Sequence, residues 1–308
     1  MGLRLGLLNL SLRLFIKTAL GRMRDPAEMR RSFERNARRF FSPPIGANFA
    51  AARIRRPDGG AIEALWCSRS RPDRRKVVLY LHGGAYLAGS VTTHRHLGAA
   101  LAGAAGARLL MPEYRLAPEH PFPAALEDAA AAYGHLLDAG YDAERIALAG
   151  DSAGGGLVFA LLLRLAAEGR PLPCCAVGFS PWADMTGRAP SLNGNERRDV
   201  MLPAGRLPEV VRFYLRDHDA EDPLASPVFG NWRDPPPALI MASRSEILLD
   251  DAIGLAEALR RGGGDVRLEL WRGLPHAWPL FAGLLPEADL AVAQAGAFIA
   301  RHLRVSGT

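Results

Sequence analysis

The stretch RIALAGDSAGGGLVFALLLRLAA, residues 145–167, decides the fold of this chain. Its first part, Arg145–Ala149, is typical of a strand buried on both faces, and Leu157–Ala167 is long enough for a helix that packs on a sheet. Between them lies GDSAG, in which glycines two residues before and after Ser152 remove Cβ atoms that would collide in a tight turn. The stretch therefore predicts an exposed, nucleophilic serine at a sharp turn from strand to helix.

Apolar strands of the same kind recur along the chain and are separated by helical segments such as the Ala-rich run Ala124–Leu137. The further predicted strands are Arg75–Leu81, Ala107–Met111, Ala176–Phe179, Ala238–Ala242 and Val266–Trp271. Strands buried on both faces and alternating with helices predict an α/β fold with a mostly parallel sheet covered on both sides. In such folds ligands bind beyond the carboxyl ends of the strands.

Composition excludes several other classes of protein. With 308 residues, 49% hydrophobic and 23% charged, the chain has globular usage, and no apolar run approaches the length of a membrane span. Its three cysteines, Cys67, Cys174 and Cys175, match neither a disulfide framework nor a zinc site, which favours a reducing compartment such as the cytoplasm. The chain has neither G-K-[ST] nor G-x-G-x-x-G, so no nucleotide cofactor is expected.

The first 40 residues are strongly basic, with ten Lys or Arg and three Asp or Glu, whereas the remainder has 28 and 29. The positive charge therefore belongs to an arm, which weakens any argument that the body binds nucleic acid. Leucines at 3, 7, 10 and 14 follow a helical period, but those at 8, 10, 12 and 14 also alternate as in a strand. Two hypotheses remain for residues 1–45: helices packed on the body, or a basic amphipathic segment on an anionic membrane surface.

A second irregular stretch, residues 184–234, is rich in Pro, Gly, Asn and charged residues, with one amphipathic piece at Pro208–Leu215. This composition is typical of an insertion above a sheet. We therefore expect one domain at 46–308 that carries a lid-like insertion at 184–234 and is preceded by a separate arm at 1–45.

A serine hydroxyl needs a base and an orienting acid to become a nucleophile. His276 lies in a loop directly after the strand Val266–Trp271, where a base for Ser152 should lie. His94 and His96 have no evident third metal ligand and are expected to be solvated residues at a helix start.

The acid should lie between the serine and the histidine in the chain. Glu246 closely follows the strand Ala238–Ala242 and is the preferred candidate. Asp250 and Asp251 are expected to cap or line the helix that follows, while Asp222 precedes the strand that must deliver the acid.

Upstream, HGGAY at 82–86 follows the strand Arg75–Leu81. Residues without bulky side chains let backbone amides approach a substrate oxygen closely. We expect the amides of Gly83, Gly84 and Ala153 to receive an oxyanion and His82 to brace the loop.

These motifs together resemble the bacterial hormone-sensitive-lipase-like esterases, also called family IV, of the α/β-hydrolase fold. The resemblance spans about residues 75–303 and rests on HGGAY at 82–86, YRLAPE at 114–119 and GDSAGG at 150–155. The run from Tyr114 to Asp128 is a hallmark of the family and is interpreted as structural. Family members usually carry their acid in Asp-Pro-Leu, whereas this chain has SEILLDD at 245–251, similar to a branch that uses glutamate; Asp250 remains a competitor. Ala85 stands where many relatives have a third glycine.

The resemblance implies that the arm and the insertion cap an acyl pocket, that no metal or organic cofactor is needed, and that a homodimer through an edge strand is an option. Tyr86, Trp182 and Trp278 lie beside the motifs and are candidate pocket walls. The predicted function is hydrolysis of short- to medium-chain carboxylic esters through a Ser-His-Glu triad and an acyl-enzyme. The same machinery could serve a lactonase, amidase or deacetylase, and a non-catalytic ligand-binding module is the alternative from another class.

Overall fold

The structure, a computed structural model, describes residues 2–303 and contains one eight-stranded sheet. The strands are β1 (Ala47–Arg55), β2 (Ala61–Arg69), β3 (Asp73–Leu81), β4 (Ala107–Pro112), β5 (Ile146–Asp151), β6 (Cys175–Phe179), β7 (Ala238–Ser243) and β8 (Val266–Trp271). Their order across the sheet is β1-β2-β4-β3-β5-β6-β7-β8. Strands β3 to β8 are parallel, and β1 and β2 pair antiparallel at one edge. The predicted α/β class with a mostly parallel sheet is confirmed.

Helices cover both faces of the sheet and form the arm and the insertion. They are α1 (Leu3–Ser11), α2 (Thr18–Arg22), α3 (Pro26–Phe40), α4 (Val91–Ala105), α5 (Ala124–Asp138), α6 (Ser152–Ala167), α7 (Pro190–Gly194), α8 (Leu207–Leu215), α9 (Leu249–Arg261) and α10 (Pro286–His302). A π-helical segment, Leu12–Lys17, joins α1 to α2. Within residues 2–303, none of these helices combines the length and the apolar character that crossing a bilayer requires.

The alternation of side chains along β3 shows how the sheet divides the core. Val77, Leu79 and Leu81 face one apolar cluster, which α5, α6 and α9 cover. Val78 and Tyr80 face the other cluster, which α4 and α10 cover. Because successive side chains of a strand point to opposite faces, a fully apolar strand needs helices on both sides.

The hairpin of β1 and β2 was not among the predicted strands. Both strands are partly exposed and carry arginines and glutamate, so they lack the continuous apolar character of the central strands. The signal that could have found them is the turn PDGG at 57–60, which lies between two runs of similar length.

The arm is helical, so the strand interpretation of its leucines is wrong. Leu5 and Leu12 are buried against the cluster beneath α4 and α10. The amphipathic piece of the insertion forms α8, whose Tyr214 is buried against the body.

Candidate active site

Ser152 stands at the junction of β5 and α6 with a φ of +52°, in the left-handed region that L-residues rarely adopt. The glycines on either side of it are required by sterics. A Cβ at Gly154 would lie 2.1 Å from the carbonyl oxygen of Leu81, and a Cβ at Gly150 would lie 2.5 Å from the carbonyl oxygen of Gly154. A side chain at position 150 or 154 would collide with the backbone of the turn or of β3. The turn therefore requires glycine at both positions.

Three side chains from three different strand ends form one hydrogen-bonded chain. His276 Nε2 lies 2.8 Å from Ser152 Oγ, and His276 Nδ1 lies 2.6 Å from Glu246 Oε2. The second carboxylate oxygen of Glu246 accepts the amide of Ser243 at 2.6 Å, which fixes the carboxylate at the end of β7. The imidazole and the carboxylate are almost fully buried, so water does not compete for their contacts.

Glu246 also sets the charge state of His276. Burial alone would lower the pKa of His276, but the hydrogen bond from its ring to Glu246 and the negative charge of that carboxylate outweigh burial and raise the pKa above its usual value. The ring thus readily accepts a proton from a hydroxyl, and the resulting cation is stabilised by the carboxylate behind it.

The two aspartates that follow Glu246 bind backbone amides and do not contact His276. Asp250 accepts the amide of Ser191 at 2.7 Å, and Asp251 accepts the amides of Ala183 and Asp184 at 2.9 and 2.8 Å. Both stand in the first turn of α9, as expected. Asp222 contacts His218 within the insertion. The only carboxylate that reaches His276 among residues 2–303 is therefore Glu246.

The predicted oxyanion donors need one correction. The amide of Gly83 donates to Asp151 Oδ1 at 3.0 Å, so Gly83 is not available to a substrate. Among residues 2–303, no acceptor contacts the amides of Gly84, Ala85 or Ala153. Ala153 lies in the first turn of α6, where amides have no partner within the helix. The free donors are thus shifted by one residue, from Gly83 and Gly84 to Gly84 and Ala85.

Asp151 is the residue that occupies the Gly83 amide and so moves the free donors one residue along the loop. Its carboxylate is buried beneath the turn and accepts Tyr80 Oη at 2.7 Å as well as the Gly83 amide, with His94 Nε2 at 3.4 Å. Burial alone would raise the pKa of Asp151, but the nearby imidazole of His94 and the hydroxyl of Tyr80 outweigh burial and hold the pKa below its usual range. The residue before the serine thereby fixes the loop that follows β3.

His94 and His96 are buried, so the prediction that they are solvated is wrong. The start of α4 is covered by the end of the arm and by the turn at Trp278–Phe281. Phe41 stacks on His96 at 4.3 Å, and His96 Nε2 lies 2.7 Å from the carbonyl oxygen of Leu280. Within the described part of the chain, no three His, Cys, Asp or Glu side chains are arranged to hold a metal ion.

The YRLAPE segment is structural, as interpreted from the sequence. Tyr114 stacks on His82 at 4.3 Å and donates its hydroxyl to the carbonyl oxygen of His82 at 2.6 Å. Burial and the neighbouring His94 lower the pKa of His82 to about 3, so its ring is neutral and braces the loop as an aromatic wedge. Arg115 binds the buried carboxylate of Asp128 through its side chain and its amide.

The loop that carries Glu246 is held by the insertion, which sequence reasoning did not identify. Asn195 Nδ2 donates to the carbonyl oxygen of Glu246 at 2.9 Å, and the amide of Ile247 donates to Asp199 Oδ2 at 3.0 Å. Lys17 of the arm donates in turn to the carbonyl oxygen of Asp199 at 2.9 Å. The arm, the insertion and the Glu246 loop therefore form one hydrogen-bonded unit.

Of the three aromatic candidates for the pocket wall, two lie where the body meets the insertion. Tyr86 stacks on Tyr214 of α8 at 3.8 Å, and its ring lies 6.3 Å from that of Trp182. Trp278 has no exposed surface and packs on Trp271 in the apolar layer beneath α4 and α10. That position makes Trp278 a core residue and not a pocket wall.

Comparisons with known proteins agree with this fold and this arrangement of side chains. Residues 78–280 match the family model described as the alpha/beta hydrolase fold. An acetyl-hydrolase of Streptomyces hygroscopicus is 44% identical over 78% of this chain and 80% of its own length. An esterase of Acinetobacter venetianus is 32% identical over 75% and 76%. An esterase from the bacterial hormone-sensitive lipase family, solved by crystallography, is 37% identical with a TM-score of 0.92 and covers 99% of both chains.

The architecture is that of an α/β hydrolase. The chain belongs to the bacterial hormone-sensitive lipase family of esterases within that fold family. It is an enzyme of the carboxylesterase type.

Proposed function

We propose that this protein hydrolyses carboxylic esters of short to medium acyl chain length through an acyl-enzyme on Ser152. The observation that carries the proposal is the unbroken contact from Ser152 Oγ through His276 to Glu246. Because the carboxylate holds the proton on Nδ1, Nε2 is left to accept the serine proton.

Ser152 Oγ attacks the ester carbonyl while His276 Nε2 takes its proton. The tetrahedral oxyanion is received by the amides of Gly84, Ala85 and Ala153, each worth about 3 kcal/mol in the transition state. The C–O bond to the alcohol then breaks, and His276 returns the proton to the leaving alkoxide. A water molecule repeats the sequence on the acyl-enzyme, which releases the acid and restores the serine.

We also propose that residues 1–45 and 184–234 together cap the acyl pocket, with Tyr86 and Trp182 as part of its wall. Their contacts to the loops after β3 and β7 support this role. The names of relatives support short acyl groups. A homologue of Pseudomonas putida, 33% identical over 73% of both chains, is an ethyl acetate hydrolase. Crystals of the esterase EstE5, 37% identical with a TM-score of 0.92 over 98% and 99% of the chains, were soaked with p-nitrophenyl butyrate.

The test is the activity of Ser152→Ala on p-nitrophenyl esters from acetate to dodecanoate. We expect kcat to fall by about 10⁴-fold or more, because the triad acts as a unit. Ser68→Ala, on strand β2, is the matched control and should keep wild-type activity. Substantial activity in Ser152→Ala would refute the proposal, as would a failure of fluorophosphonate to label Ser152. Faster turnover of lactones or aryl amides than of esters would refute the ester assignment alone.

A further inference from the structure

The N-terminal helix, formed by α1 and the π-helical segment Leu12–Lys17, has two apolar faces, of which only one packs against the body. Leu5 and Leu12 are buried against the body. On the other side, the leucines at 3, 7, 10 and 14 form one stripe, since residues three and four apart share a helix face. Their exposed fractions run from 55% to 81%, and Phe15 beside them is 68% exposed. This exposed stripe, Leu3, Leu7, Leu10, Leu14 and Phe15, has no function in packing the monomer.

The part of the arm that carries the exposed stripe has charge of one sign only, and two of its cations, Lys17 and Arg24, are paired with Glu196 and Glu209 of the insertion. Residues 2–24 contain five Lys or Arg and no Asp or Glu. Arg4 and Arg22 make no ion pair with any other residue in the range 2–303. Arg13 donates to the carbonyl oxygen of Arg197, a contact that leaves the charge of Arg13 without a counter-ion. A partner for this surface should therefore be both apolar and anionic.

A groove beside the stripe also combines apolar surface with positive charge. It has a volume of about 420 Å³, with Leu10, Val200 and Leu274 supplying apolar surface and Arg13 and Arg198 supplying charge. An acyl chain on the apolar part and a phosphate at the guanidinium groups would satisfy both kinds of surface.

The helix that carries the stripe contacts the loops of the candidate active site. Asn9 Nδ2 donates to the carbonyl oxygen of Gly273 at 2.9 Å, three residues before His276. Lys17 reaches Asp199, which holds the Glu246 loop. The helix that carries the stripe is therefore bound directly to the loop of His276 and, through Asp199, to the loop of Glu246.

We propose that the exposed stripe and the arginines beside it dock this protein on an anionic lipid bilayer, with the N-terminal helix lying flat in the interface. A helix with exposed leucines, an aromatic side chain and only basic charge has the features of an interfacial helix. A second copy of the chain fits less well, because a two-fold contact places the same patch on both sides and would oppose the arginines.

The test is co-sedimentation of the full-length protein with vesicles of phosphatidylcholine alone or with about a third phosphatidylglycerol. We expect at least about tenfold tighter binding to the anionic vesicles, lost at high salt. Arg4→Gln and Arg13→Gln should each weaken binding about fivefold. The double variant Leu7→Ser and Leu10→Ser should weaken it by at least about tenfold.

The matched control is the double variant Leu284→Ser and Leu290→Ser, at positions 49% and 51% exposed in another part of the molecule, which should bind as the wild type does. Circular dichroism confirms that each variant is folded, and binding is also measured with Ser152→Ala, so the result does not depend on catalysis. Equal pelleting of the Leu7→Ser and Leu10→Ser variant and the wild type would overturn the proposal. A wild-type protein that binds no vesicles, or that forms a dimer abolished by the same two substitutions without vesicle binding, would overturn it as well.

Discussion

Replacing Glu246 by glutamine tests the assignment of the acid most sharply, because the two side chains have the same shape. In the structure one carboxylate oxygen accepts the Ser243 amide at 2.6 Å and the other accepts His276 Nδ1 at 2.6 Å. A glutamine can keep only one of these contacts. With its oxygen on Ser243, its NH₂ group faces Nδ1, so the imidazole must carry its proton on Nε2 and can no longer accept one from Ser152. If the glutamine amide is turned the other way, its NH₂ group faces the backbone N–H of Ser243, and two donors meet in a buried site.

In a serine protease with a Ser-His-Asp triad, replacing the aspartate by asparagine forces this change of tautomer and lowers kcat by about 10⁴-fold. We expect a loss of the same order here. The pH dependence should change as well. In the wild type we expect activity to fall as the pH drops through the raised pKa of His276, an upward shift to which Glu246 contributes most. Without that carboxylate, burial lowers the pKa of His276 and is opposed only by the weaker effects of the Asp199 and Asp151 charges, so the acid limb of kcat/KM should move to lower pH.

The assay is kcat and kcat/KM on p-nitrophenyl butyrate from mildly acidic to mildly alkaline pH. Asp250→Asn is the matched control, and its kcat should stay within about fivefold of wild type, since Asp250 makes only a local contact to Ser191. The reasoning fails if Glu246→Gln keeps more than about a tenth of the wild-type kcat, or if Asp250→Asn loses activity instead.

Three further predictions concern the scaffold. In Gly154→Ala the new Cβ would lie 2.1 Å from a backbone oxygen of the adjacent strand, so thermal unfolding should show a loss of about 3 kcal/mol or more. Gly205→Ala, where no atom lies within 4 Å, should change stability by less than about 0.5 kcal/mol, and equal effects would contradict the steric argument. Asp128→Ala removes a fully buried carboxylate that binds an arginine and should cost about 3–5 kcal/mol in urea unfolding, against less than about 1 kcal/mol for Glu127→Ala, a half-exposed partner of the same arginine. Burial raises the pKa of Cys67 to about 12, so iodoacetamide should alkylate this thiol only after unfolding, and labelling of the native protein would show that the strand opens.

The parts of the fold that depend on local pattern could be predicted from the sequence. Buried parallel strands read as apolar runs, and the turn at Ser152 needs glycines at fixed offsets, so β5, α6 and the position of Ser152 follow from the residues alone. The loops after β7 and β8 follow from the same strand pattern, which is why Glu246 and His276 could be named.

The parts that depend on contacts between distant segments could not be predicted. Which amides after β3 remain free depends on a single hydrogen bond from Gly83 to Asp151, and the sequence does not show it. The burial of His96 depends on Phe41 and on the turn at Trp278–Phe281, which come from the two ends of the chain. The β1–β2 hairpin was missed because an edge hairpin need not be apolar on both faces.

The contacts of Asn195 and Asp199 restrict how substrates reach the pocket. A segment that donates to the Glu246 backbone and accepts from Ile247 cannot swing away without disturbing the proton chain behind His276. Any movement of the proposed cap that leaves the Glu246 loop undisturbed must therefore keep residues 195–199 in place. An exchange of insertions between relatives that aims to alter substrate selectivity would have to keep residues 195–199 and replace only the segment that follows them.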